Sequence, residues 1–240
     1  MKNLFLISSS YYDNKNYLDH CENDLKAFLG SISSDEIILF VPFAFSDLDK
    51  YTSMVKKYFA GLGYNIKSLH EYSRRNFLLD KNRIKAIFVG GGNTFLLKSQ
   101  LEKIQILDMI SNQVQTGLWK YVGSSAGAII ACPTIMTTND MPIVMPGSFN
   151  ALGLVNFQIN PHFIEGKMIP SHMGETRETR IGEYHEHNIL PVIGLPESSW
   201  IVVKNKESTL YGDNNAVIFL KNGKKYNWMP GNMLSKFNIY

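Results

Sequence analysis

The chain has 240 residues, 45% of them hydrophobic, enough for one sizeable core and at most two small domains; one domain over residues 1–240 is expected. Its 24 basic and 21 acidic side chains leave a formal charge of +3, too evenly balanced to indicate a nucleic-acid or membrane-surface partner. No apolar run reaches the ~18 residues a membrane helix needs, and the two cysteines, Cys21 and Cys132, form no framework, so a reducing, cytoplasmic setting is expected and neither cysteine suggests a metal ligand.

In chain order, Asn3 to Ser9 (NLFLISS) reads as a buried strand. Leu18 to Leu29 carries Leu18, Cys21, Leu25, Phe28 and Leu29 at the three-and-four spacing of a half-buried helix, closed by Gly30. Glu36 to Phe43 is a second apolar strand. Leu48 to Leu62 is a helix through Met54, Val55, Tyr58, Phe59 and Leu62. A third strand is expected at Asn65 to Leu69, a short helix or loop at Arg74 to Asp80, and a fourth strand at Ile84 to Val89 (IKAIFV).

That strand runs into Gly90-Gly91-Gly92-Asn93-Thr94 and then a helical stretch from Phe95. Glycines at a strand-to-helix turn let backbone amides approach an anion closely, because no β-carbon intervenes. The GxxxxGK[ST] lysine and hydroxyl and the GxGxxG spacing are both missing, so a nucleotide site is disfavoured. A turn shaped for packing, or amides serving as half of an oxyanion hole, are the readings left open.

Ile104 to Gln115 is a further helix, and Tyr121 to Gly123 a strand leading into Gly123-Ser124-Ser125-Ala126-Gly127. This Gly-x-Ser-x-Gly pattern places Ser125 on a tight turn between strand and helix, with its hydroxyl uncovered and the free amides of the next helix aimed at the same space. Strands alternating with helices imply an α/β fold with a mostly parallel sheet covered on both faces. Farther on, Phe157 to Phe163 reads as a short strand, Gly174 to His187 as a helix, and Pro191 to Leu195 and Trp200 to Lys204 as strands. Ala216 to Met229 reads as a β-hairpin around Asn222-Gly223.

A serine hydroxyl needs a base. Of the six histidines, His162 lies at the end of a predicted strand, where the loops of such sheets collect their chemistry. His185 and His187 lie two apart on a helix and face away from each other, which argues against a shared metal. The base in turn needs an acid to hold its tautomer. Asp140 and Glu197 are both candidates, and spacing does not choose between them.

The motifs GGGNT, GSSAGA, TTNDMPIV, INPHF, GETRETRI and GLPESSW, in this order, resemble the peptidase E family of serine peptidases, over roughly Ile84 to Trp200. The resemblance implies a class I glutamine amidotransferase-like fold, no metal or other cofactor, and hydrolysis of small peptides with an N-terminal aspartate by a monomer or homodimer. It makes Ser125 the nucleophile, His162 its base, and Glu197 or Asp140 the third member. It places the oxyanion amides at Gly91 and Ala126, and makes Arg177 the grip on the substrate's aspartate side chain. The alternatives are a peptidase of the same chemistry acting on β-aspartyl or cyanophycin-like peptides, and a catalytically silent small-ligand binder. A glutamine amidotransferase is disfavoured by the serine at the elbow.

Overall fold

A computed structural model describes residues 1–166 and 175–237. The first half alternates strand and helix: β1 (Asn3–Ile7), α1 (Glu22–Leu29), β2 (Ile37–Val41), α2 (Leu48–Gly61), β3 (Ile66–Ser68), α3 (Arg74–Asp80), β4 (Ile84–Val89), α4 (Thr94–Lys103), α5 (Leu107–Gln115), β5 (Lys120–Ser124) and the short α6 (Ala126–Ile130). Strands then dominate, with β6 (Gln158–Pro161), α7 (Arg177–His187), β7 (Val192–Leu195), β8 (Ser199–Lys204), β9 (Glu207–Gly212), β10 (Ala216–Phe219) and β11 (Lys225–Trp228).

The large sheet has the order β3-β2-β4-β5-β1-β8-β9. Its β3, β2, β4, β5 and β1 are mutually parallel, while β8 and β9 add on antiparallel. The parallel strands are near-continuous apolar runs, as burial on both faces demands: all five residues of β2 (IILFV) are buried. One face carries Phe5, Ile7, Ile38, Phe40 and Phe88 against Leu25 and Leu29 of α1 and Val55 and Phe59 of α2. The opposite face carries Leu4, Leu6, Leu39, Ile87 and Val89 against Leu97 and Leu101 of α4, Ile110 and Val114 of α5, and α6.

A second sheet, ordered β11-β10-β7-β6, closes over that opposite face. Ile159, Ile193, Leu195 and Ile218 join the larger core, while Val192, Val217 and Phe219 point outward and pack with Phe163 beneath Ile181 of α7. The alternation along β7 and β10 is the period-two signature of strands sandwiched between two layers.

The sequence reading anticipates the order of the first-half elements and the hairpin of β10 and β11, but α1 begins at Glu22 instead of Leu18, which takes φ 59°, and α5 begins at Leu107 instead of Ile104, after Gln105 at φ 53°. It omits β9, which pairs with β8 across a two-residue turn whose Asn205 adopts φ 61°. Its segment ESTLYG is mostly polar or small, and its strand character comes from pairing with β8 rather than from its own pattern. The helix expected from Gly174 begins at Arg177, where the Thr176 hydroxyl caps the chain by accepting from the Thr179 amide at 3.0 Å. His172 and Gly174 lie outside the described residues.

Candidate active site

The site is built where three strands of two sheets end. β5 delivers Ser125, whose backbone sits at φ 51° and ψ −109°, a region a serine enters only at a cost of about 1–3 kcal/mol. The surroundings hold it there. The Ser125 amide donates to the Ile7 carbonyl at 2.9 Å, and the Ser125 carbonyl accepts from Ala128 and Ile129 at 2.8 and 3.0 Å. The flanking glycines are set by contact: a β-carbon on Gly123 would overlap the Gly127 carbonyl, and one on Gly127 would overlap that of Val89. The elbow is thus locked to both neighbouring strands, β1 and β4. The Ala126 amide, first in α6, has no carbonyl of its own helix to bond.

His162 follows β6, and Glu197 follows β7. These two strands pair in parallel with Pro161 opposite Leu195, so their carboxyl-end loops emerge side by side. His162 Nε2 lies 2.8 Å from Ser125 Oγ, and His162 Nδ1 lies 2.9 Å from Glu197 Oε1. Serine, imidazole and carboxylate therefore form one continuous chain of hydrogen bonds. His162 adopts φ 53° and Ser198, next to Glu197, φ 61°; with Ser125, three of the seven described non-glycine residues at positive φ gather at this site. Strain concentrated in one place marks a geometry that the surrounding packing enforces.

Ser8, at the end of β1, is an organiser that the sequence reading missed. Fully buried, its hydroxyl donates to the Leu195 carbonyl and accepts from the His162 amide, both at 2.9 Å, while its own amide donates to the Ser199 carbonyl at 3.1 Å. It ties the histidine loop, the end of β7 and the start of β8 together. The rule that singles out His162, a polar residue at the carboxyl end of a strand, also applies to Ser8-Ser9-Ser10. Nearby, the Ser10 and Ser124 hydroxyls are 2.7 Å apart.

Asp140 stands elsewhere. Its Oδ2 accepts from the Thr94 amide at 2.7 Å, the Thr94 hydroxyl at 2.6 Å and the Thr138 hydroxyl at 3.0 Å, which places a carboxylate at the positive end of α4. Among the described residues it makes no hydrogen bond to His162, although both line the same cleft. Its loop is fixed to β6 through the Asn160 side-chain amide, which donates to the Thr137 carbonyl at 2.9 Å and to Asn139 Oδ1 at 3.0 Å.

The three glycines after β4 each have a packing reason. Gly90 leaves room for the Tyr51 hydroxyl, Gly92 takes φ 128° against the Ala44 carbonyl, and a β-carbon on Gly91 would come 3.2 Å from that of Ser125. The Gly91 backbone thus lies directly against the serine elbow. Asn93 then caps α4 by accepting from the Leu96 amide at 3.0 Å.

Arg177, in the first turn of α7, forms no ion pair among the described residues. The acids near it in sequence are engaged elsewhere, Glu175 with Arg180 and Glu178 with Lys225. Partial burial lowers the pKa of its guanidinium, the Arg180 charge adds to this, and the Asp140 charge opposes it, so Arg177 and Asp140 lie within electrostatic reach. On the same helix His185 is buried with its Nε2 3.0 Å from the Leu190 carbonyl, while His187 is exposed.

Ser125, His162, Asp140, Gly91 and Gly92 open into one cleft of about 820 Å³. The architecture around it is mixed α/β of the class I glutamine amidotransferase type, and two solved structures share it. A protein of Listeria monocytogenes EGD-e superposes with a TM-score of 0.67 at 25% identity, covering 89% of this chain and 100% of that one. A peptidase from an acI-B1 actinobacterium superposes at 0.71 and 19% identity, covering 98% and 96%.

More narrowly, the model of peptidase family S51 matches residues 4–211. A Drosophila melanogaster protein named probable alpha-aspartyl dipeptidase is 43% identical over 223 residues, 92% of this chain and 91% of that protein. Peptidase E of Streptomyces coelicolor is 41% identical over 217 residues, 90% and 87% of the two chains. The chain belongs to peptidase family S51 and is a hydrolase of the serine-peptidase type. No helix among the described residues is long and apolar enough to cross a membrane.

Proposed function

We propose that this chain is a dipeptidase that releases N-terminal aspartate from Asp-X through a serine acyl-enzyme. The observation that carries the reading is the hydrogen-bonded series from Ser125 Oγ through His162 to Glu197. His162 Nε2 takes the serine proton as Oγ attacks the scissile carbonyl, and Glu197 holds the Nδ1–H tautomer and stabilises the imidazolium. His162 then passes the proton to the leaving amine, and water cleaves the aspartyl ester by the reverse series of transfers.

The Gly91 and Ala126 amides are the donors to the oxyanion. Gly91 lies against the elbow and Ala126 heads α6, and loss of one such donor costs roughly 3 kcal/mol of barrier. Arg177 binds the aspartate side chain, since its planar fork matches a carboxylate and the neighbouring acids are already paired. The relatives named probable alpha-aspartyl dipeptidase and peptidase E support the same specificity. Asp140 acts by fixing the start of α4 and its own loop, with its charge steering Arg177. Both cysteines are free and buried, which suits a cytoplasmic protein.

The test is release of aspartate from Asp-Leu, with Leu-Leu as control and Ser125→Ala as blank. Turnover of Asp-Leu alone, abolished in Ser125→Ala, is expected. Cleavage of a β-aspartyl dipeptide in its place would move the function to another specificity within the same chemistry. A folded protein with no turnover of either would defeat the reading.

A further inference from the structure

The side of the cleft formed by the loops after β1 and β2 has a chemistry that the aspartate reading does not use. Its wall comes from the loops after β1 and β2 and from the first turns of α2: Tyr11, Tyr17, Phe45, Tyr51 and Met54. The rings pack on one another, with Phe45 and Tyr51 centroids 4.8 Å apart and Tyr11 and Tyr17 5.4 Å apart, and the Tyr11 hydroxyl reaches Met54 Sδ at 3.2 Å. Tyr17 and Tyr51 are buried behind, whereas Phe45 and Tyr11 are half exposed, at 50% and 51%, and present ring surface to the cleft. Large aromatics left open beside a nucleophile mark a surface completed by a ligand.

The wall is uncharged. Burial raises the pKa of the Tyr17 hydroxyl well above the usual phenol range and pushes that of Tyr51 up to about 12, so neither ionises near neutral pH. Lys50 and Asp47 also line the cleft, and the Asp47 carboxylate caps α2 by accepting from the Lys50 amide at 3.0 Å. A charged side chain packed against these rings would lose hydration without gaining a partner from them, whereas an apolar one would be covered by them.

Arg177 lies within electrostatic reach of Asp140, which lines this cleft, so an acyl half drawn toward Arg177 leaves the aromatic side to the leaving half. We infer that the aromatic wall of Tyr11, Phe45, Tyr51 and Met54 is the subsite for the second residue of the dipeptide, and that it selects aromatic and branched aliphatic side chains over small or charged ones. This rests on the aspartyl dipeptidase reading.

The experiment compares kcat/KM for Asp-Phe, Asp-Leu, Asp-Gly, Asp-Lys and Asp-Glu in the wild type and in the double variant Phe45→Ala/Met54→Ala. A ratio of Asp-Phe to Asp-Gly of about tenfold or more is expected in the wild type, the scale on which apolar pockets discriminate. In the double variant that ratio is expected to collapse toward one, with circular dichroism verifying the fold. Tyr11→Ser, whose ring is half exposed, supplies a second reduction of the ratio if the double variant does not fold. Turnover that is flat across the five substrates, or a preference for Asp-Lys or Asp-Glu, overturns the inference and leaves the dipeptidase reading standing. No turnover of any Asp-X peptide overturns both.

Discussion

At the residue scale, the site depends on side chains that fix geometry as well as on those that react. Ser8 makes two hydrogen bonds from a fully buried hydroxyl, one to each of the strand ends that carry His162 and Glu197. Ser8→Ala leaves the Leu195 carbonyl and the His162 amide short of a partner, at a cost of about 1–3 kcal/mol in chemical denaturation. Because the His162 backbone loses its anchor while the binding surfaces remain, kcat should fall several-fold with KM little changed; a proportionate rise in KM would mean that Ser8 shapes the substrate pocket instead. Glu197→Gln keeps the side-chain shape but removes the charge facing Nδ1, and a fall in kcat between about 10²- and 10⁴-fold is expected. Asp140→Asn should cost less, because Asp140 bonds to Thr94 and Thr138. The reverse ranking would return the third role to Asp140.

At the element scale, short segments are secured by charge where apolar contact is limited. Asp80, at the end of α3, accepts from Lys67 of β3 and from Arg83, each at 2.7 Å, and from the Tyr72 hydroxyl at 2.9 Å. The Lys67 bond foremost, with Tyr72 and Arg83, outweighs partial burial and holds the Asp80 carboxyl down at about 2. A depressed carboxyl pKa means that its stabilisation is fully present above the unfolded value of about 4 and is lost as the pH falls through about 2. In urea unfolding, the gap between wild type and Asp80→Asn should therefore be largest near neutral pH and close between pH ~4 and ~2. A gap that stays constant across that window would show that the carboxylate charge is not responsible. On α4, the buried Lys98 pairs with Glu102, whose carboxylate also accepts from the Gly147 amide at 2.8 Å. That contact pins the far end of the loop that begins at Asp140.

At the scale of the whole molecule, the proposed mechanism requires the two sheets to keep their relative position. The large sheet supplies Ser125, the small one supplies His162 and Glu197, and the core between them includes Ile159, Ile193, Leu195 and Ile218. Ile193→Ala opens a cavity in that layer and should cost about 2–5 kcal/mol. Activity per folded molecule should fall as well, because a shift of about 1 Å between the sheets breaks the Ser125–His162 bond. Full specific activity in a destabilised Ile193→Ala protein would show that the loops hold the site without the sheet beneath them.

Much of this was readable from the chain alone, because it depends on local patterns. Continuous apolar runs named the parallel strands, three-and-four spacing named α1 and α2, and Gly123-Ser124-Ser125-Ala126-Gly127 named the elbow, since only small residues fit where backbone crosses backbone. The pairing of β6 with β7 was not readable. It brings together residues 35 apart and makes Glu197 the acid that meets His162, because register between distant strands is set by which surfaces are buried together. For the same reason β9, the span of Ser8 between two strand ends and the aromatic wall assembled from the loops after β1 and β2 emerged only in three dimensions. The sequence by itself determined most of the elements and the candidate reactive residue types, and the tertiary structure decided which of those residues touch.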